Sequence, residues 1–214
     1  MTQRKCFSTL VIFLLTLAFS GPALADIVLP PPRTEGGMGL FDALKKRSSV
    51  PGGDLSPAEV KLEDLSTILW AASGLNRGKK GWTVPMANGL PPYCRVYVAG
   101  NGGVWRYEWA THSLKEISKE NIKGRIAAQS FARRAFYILI LVSDGETLAT
   151  LKNGKEAAEF SQVAAGAMSQ NIYLAAAALK LGARYIHSIH RDAIKSALKL
   201  PQGDEPISLM LLGK

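Results

Sequence analysis

The 214-residue chain carries 26 Lys and Arg against 17 Asp and Glu, a formal net charge of +9, and 47% hydrophobic residues. That length and apolar content suit one domain of ordinary size with a sizeable core. The cations fall in short groups at Lys45-Lys46-Arg47, Arg77-Gly78-Lys79-Lys80 and Arg133-Arg134. They lack the concentrated stripe with interleaved aromatics that a nucleic-acid face needs, so no nucleic-acid partner is expected.

Residues 1–25 place Arg4 and Lys5 ahead of an apolar run from Leu10 to Phe19, followed by Pro22 and the small-residue ending Ala23-Leu24-Ala25. This is the layout of a cleaved secretory signal peptide. The run is too short to span a bilayer comfortably, and no cysteine follows the cleavage point. The expectation is a mature protein that begins at Asp26, is periplasmic or secreted, and has no membrane span. Cys6 leaves with the signal, so Cys94 stands alone and a disulfide within one chain is excluded.

Residues 26–39, DIVLPPPRTEGGMG, read as an extended N-terminal arm that needs a surface to lie against. LFDALKKR (40–47) is a short amphipathic helix stopped by Pro51-Gly52-Gly53. Leu62, Leu65, Ile68, Leu69 and Ala72 recur at helical spacing, with Gly74 as the expected left-handed stop. Residues 75–93 form a long irregular loop of functional type. Strands at Arg95–Ala99 and Val104–Glu108 flank the hairpin turn Gly100-Asn101-Gly102-Gly103. FYILILVS (136–143) predicts a strand buried on both faces. A helix follows over VAAGAMSQNIYLAAAALKLGA (163–183), apolar on almost every face, with Gly182 as its stop. A strand at 183–189, a helix over about 190–199 and a final strand at 206–212 complete an α+β chain of one domain, 40–214. His187 and His190 lack carboxylate or thiolate company, so no metal site is expected.

The runs EGGMGLFDALKKRSSV (35–50), LEDLSTILWAASGLNR (62–77) and SQNIYLAAAALKLGA (169–183) resemble the nitroreductase-like flavoproteins, and most of all the small branch related to oxidases of peptide azolines. The resemblance covers the whole mature chain. It implies a central, mostly antiparallel sheet flanked by helices, in a homodimer whose central helices pack across the two-fold axis. It also implies FMN bound between subunits, a small-molecule substrate, and NAD(P)H as a candidate electron donor. The protein is then an exported FMN-dependent oxidoreductase; the alternative is a non-catalytic binding protein on the same fold with a degenerate flavin pocket.

The resemblance places three site segments. Arg47, Ser48 and Ser49 stand where the family grips phosphate, although Ser48 and Pro51 replace customary cations. Pro85, Met86 and Asn88 fall in the segment that the family brings to the ring from the partner subunit. Pro85 and Ala87 line up, Met86 stands in place of a serine, the asparagine is Asn88 or is replaced by Gly89, and the usual glutamine is missing. His187 and Ser188 occupy the segment flanking the flavin ring, where a glycine is usual. No catalytic side chain is assigned, because the two-electron chemistry belongs to the flavin.

Overall fold

The computed structural model describes residues 26–151 and 154–214. The expected signal peptide lies outside the described residues. Seven strands form one sheet: β1 (Ile27–Val28), β2 (Cys94–Gly100), β3 (Gly103–Glu108), β4 (Ser113–Ser118), β5 (Tyr137–Ser143), β6 (Gly182–Ile186) and β7 (Glu205–Gly213). Their spatial order is β1-β4-β3-β2-β5-β7-β6, and every adjacent pair is antiparallel. Five helices accompany them: α1 (Leu40–Lys46), α2 (Leu62–Ser73), α3 (Gly145–Ala149), α4 (Gly154–Ala178) and α5 (Arg191–Leu198). This is the expected α+β architecture.

The sheet is covered on both faces, and alternation along its central strands explains how. Leu139 and Leu141 of β5, with Met210 and Leu212 of β7, face the cluster that contains α2 and α4. Ile138, Ile140 and Val142, with Leu209 and Leu211, face the opposite cluster with Ile194 and Leu198 of α5. Side chains alternate with period two, so a strand covered on both sides reads as an unbroken apolar run.

Two strands and one helix were illegible in sequence. β1 is two residues long and pairs with β4, whose SLKEIS carries too few apolar residues to announce a strand. α3 is a five-residue helix capped by Asp144, which accepts from the Thr147 amide. The central helix begins at Gly154, ahead of the expected 163, and β6 ends at Ile186, short of 189.

Gly74 ends α2 as expected but without the left-handed turn, and the expected stop at Gly182 is corrected. Gly74 is extended (φ −75°), and its requirement is proximity: a Cβ there would sit 2.4 Å from Trp70 Cδ1. After α4 the left-handed residue is Lys180 (φ 59°), and the Leu181 amide reaches back to Ala176 O at 2.8 Å. Gly182 instead opens β6.

The arm finds its surface on α2 and β4. Ser66 Oγ donates to Pro30 O, and the Arg33 amide donates to Thr67 Oγ1. His112 braces the same point: its Nε2 lies 2.7 Å from Ser66 Oγ and 3.2 Å from Pro30 O, while Nδ1 lies 2.9 Å from the Tyr107 hydroxyl. Burial pushes the His112 pKa down, which favours the neutral ring; the Pro30 carbonyl partly opposes this.

Two loops are fastened to β2 by one ion cluster. Arg95 on β2 binds Asp144 (2.7 Å) after β5 and Asp204 (2.8 Å) before β7. Asp204 also accepts from the Gly145 amide at 2.9 Å. Burial pushes the Asp204 carboxyl up, against the opposing pull of Gly145 and Arg95. Removing the cation leaves two buried carboxylates facing each other. Arg95→Ala is therefore expected to cost about 3 kcal/mol, the low end for breaking a buried pair because Arg95 is partly exposed. Urea unfolding checks this against Arg125→Ala, whose pair with Glu120 is exposed on both sides and whose loss is expected to leave the midpoint nearly unchanged. Equal midpoints for the two variants would refute the clamp.

Candidate functional site

The edge strand β6 and the helix α4 build the site between them. The outer edge of β6 is not left open. The Val50 amide donates to Ala183 O at 3.0 Å, Arg184 Nη1 donates to Val50 O at 2.8 Å, and the Tyr185 amide donates to the Tyr173 hydroxyl at 2.7 Å. These bonds fix the segment after α1 against the sheet and so deliver Arg47 and Ser49 to α4.

Arg47 and Ser49 meet on one side chain. The Arg47 guanidinium carbon lies 5.2 Å from the centre of the Tyr173 ring, a cation–π contact. The Tyr173 hydroxyl donates to Ser49 Oγ at 3.0 Å. Ser48 is exposed beside them. Arg47 makes no ion pair with a carboxylate among the described residues, so its charge is available to an anion.

A cavity of about 480 Å³ continues from Tyr173 along α4. Gln162, Gly166, Ser169 and Gln170 line its helix side, and Tyr185, His187 and Ile207 line its sheet side. A Cβ on Gly166 would meet nothing within 4 Å, so the helix presents an open, flat surface there. Ile207 reaches the cavity because β7 changes register opposite Leu141 and Val142, which pair with Ser208 and Pro206 and leave Ile207 over. His187 is exposed, its Nδ1 3.5 Å from the Tyr185 hydroxyl. The backbone beyond it is anchored, since Ser188 O accepts from the Ala128 amide and the His190 amide donates to Ile126 O, both at 3.0 Å. Gln162, His187 and Ile207 also border a second cavity of about 790 Å³, lined by Leu148, Leu151, Arg191 and Glu205, so the two form one groove.

Ser169, Gln170 and Asn171, consecutive polar residues in the apolar run of α4, divide their labour. Ser169 Oγ donates to Ala165 O of its own helix, and Gln170 faces the cavity. Asn171 Nδ2 donates to Ala71 O and Thr83 O at 3.0 and 3.1 Å, tying α2 to the following loop. The helix is not apolar on every face, as its composition suggests. Gln162, Val163, Gly166 and Gln170 form an exposed stripe at helical spacing, with Val163 69% exposed.

The structure thus brings Arg47 and Ser49 together on Tyr173, with Ser48 exposed between them in the chain, and sets His187 in the wall of the groove; Ser188, next in the chain, is exposed and outside its lining. Pro85, Met86 and Asn88 stand apart. Met86 packs toward the core, the Ala87 amide donates to the Tyr93 hydroxyl, and Asn88 adopts a left-handed φ of 52°. None of the hydrogen bonds of the Tyr173 cluster reaches this turn, and the cavity is lined without it. Tyr173, Tyr185 and Ile207 escaped the sequence reading. A signal for Tyr173 existed: it is the one aromatic inside the alanine run. Among the described residues no cluster of three His, Cys, Asp or Glu side chains suits a metal, and no helix is long and apolar enough to cross a membrane.

The cavity suits a flat ligand with an anionic end. Tyr173 closes one end and carries Arg47 and Ser49 beyond the lining, while Gln170 supplies a hydrogen-bonding group from the helix side and Tyr185 and His187 supply them from the sheet side.

Comparison with known proteins agrees in sequence and in fold. The sequence pattern of the nitroreductase family matches residues 44–214. A provisionally named nitroreductase of Methanocaldococcus jannaschii is 30% identical over 184 residues, covering 82% of this chain and 90% of its own. The crystal structure of a provisionally named nitroreductase from Ralstonia eutropha superposes with a TM-score of 0.82 at 31% identity, covering 88% of this chain and 89% of that one. The E. coli microcin synthetase complex shares the fold at 14% identity, with a TM-score of 0.67 over 87% of this chain and 77% of that one.

Proposed function

The chain belongs to the nitroreductase family, and on that premise we propose that it is an FMN-dependent oxidoreductase acting on a small organic molecule. The observation that carries this reading is Arg47 and Ser49 held together on Tyr173, the residue that closes one end of a groove along α4. Arg47 and Ser49 would hold the phosphate, a guanidinium suiting it because its planar fork can meet two oxygens. Gly166 leaves room on the helix for a flat ring, and His187 and Ser188 would flank it. The flavin, when bound, supplies two-electron transfer through N5. The protein's part is to seat it, orient it against the anchored 187–190 backbone and leave the apolar Leu148–Leu151 end of the groove to a second substrate. NAD(P)H is a candidate donor.

The active unit in this reading is a homodimer. Val163 on α4 and the outward Leu40, Phe41 and Leu44 of α1 are apolar surface that a second copy would cover. Pro85, Met86 and Asn88, apart from the groove within one chain, would then reach the ring of the partner's site. Val163→Glu is expected to convert a dimer to a folded monomer in light scattering. A monomeric wild type at micromolar concentration would refute the dimer. The leader supports export. Intact mass of the exported protein should begin at Asp26, and a species retaining Met1 would refute cleavage.

The flavin reading is tested by titrating refolded apoprotein with FMN and following fluorescence quenching at matched ionic strength. Arg47→Ala should weaken binding by about 1.5–3 kcal/mol, roughly ten- to a hundredfold, as for a charge-assisted contact. Lys80→Ala, in the exposed loop, should change little. Wild type without saturable quenching would transfer the pocket to another ligand and favour a binding protein. Binding unaffected by Arg47→Ala would reassign the phosphate.

A further inference from the structure

We propose that Tyr173 is a positioning residue for the flavin phosphate, one that sets Ser49 as a hydrogen-bond donor and holds Arg47 in place. This rests on the reading of Arg47 and Ser49 as the phosphate end. The Tyr173 phenol is buried and makes two bonds of fixed direction: it accepts from the Tyr185 amide at 2.7 Å and donates to Ser49 Oγ at 3.0 Å. A serine hydroxyl has one hydrogen to give. With its oxygen already accepting from Tyr173, the hydrogen of Ser49 is free for an acceptor outside the protein, and a phosphate oxygen is an acceptor. The bonds run in one sense, from backbone amide to phenol to serine, and each polarises the next.

The ring of the same residue lies 5.2 Å from the Arg47 guanidinium carbon. It steadies the cation without neutralising it, as a carboxylate would. Tyr185 stands two residues before His187 on the same chain path. Tyr173 therefore joins the phosphate end of the groove to the strand leading to its ring end, and fixes the distance between them.

The test compares FMN with riboflavin, which carries the same ring and ribityl chain without the phosphate, in titrations of wild type, Tyr173→Phe, Ser49→Ala and the double variant. Phenylalanine keeps the buried ring and the cation contact and deletes only the hydroxyl. Tyr173→Phe should raise the FMN dissociation constant about tenfold and leave that of riboflavin unchanged. Because the phenol acts through Ser49, the double variant should bind FMN no worse than Ser49→Ala alone. Equal weakening toward both flavins would mean that Tyr173 only supports the fold, and would overturn the proposal. So would unchanged FMN affinity, or losses that add independently in the double variant. A wild type that binds neither flavin would instead remove the phosphate reading itself, and this inference with it.

Discussion

Burial of the sheet on both faces is the constraint from which the rest of the architecture follows. Once Leu139, Leu141, Met210 and Leu212 point one way and Ile138, Ile140, Leu209 and Leu211 the other, the middle of the sheet has no room for polar chemistry. Functional groups must gather at an edge. At one edge the short β1 and the Pro-rich arm close the sheet, braced by His112 and Ser66. At the other, β6 pairs only with β7 and offers free backbone groups to the segment after α1 and to α4. The groove lies at that second edge because the first is occupied and the centre is sealed.

Closing β6 with a loop and with side chains also has a protective side. An exposed edge with unpaired amides invites pairing with other chains. Here the Val50 amide takes up Ala183 O and the Tyr173 hydroxyl takes up the Tyr185 amide, so both outward groups are occupied within the chain. The residues that finish the fold at this edge are those that approach the candidate phosphate position. Structure and site are therefore not independently adjustable there.

The sequence disclosed what periodicity and punctuation can express. The double-sided strand β5, the helix repeat of α2 and the alanine-rich α4 were legible because each buries a regular pattern. β4 and β1 were not, since half-buried or two-residue strands leave no pattern to find. The glycine stops misled for a different reason. Gly74 is required by the nearness of Trp70, a tertiary fact, while Lys180 takes the left-handed turn that Gly182 was expected to take. In the candidate site, Arg47, Ser49 and His187 were reachable through resemblance. Tyr173 was hidden because its partners, Ser49 and Tyr185, lie 124 and 12 residues away. No local spacing could pair them.

Cys94 sits at the start of β2 beneath the apolar cluster, and burial pushes its thiol up to about 12. Thiolate, the reactive form, is then scarce at neutral pH in the folded chain. An unfolded chain regains an ordinary thiol. Alkylation of this single described cysteine would accordingly proceed only through opening of the β2–β5 region, and its rate under native conditions becomes a clock for that opening. The same shielding keeps oxidants in solution from this thiol for as long as the strand stays paired.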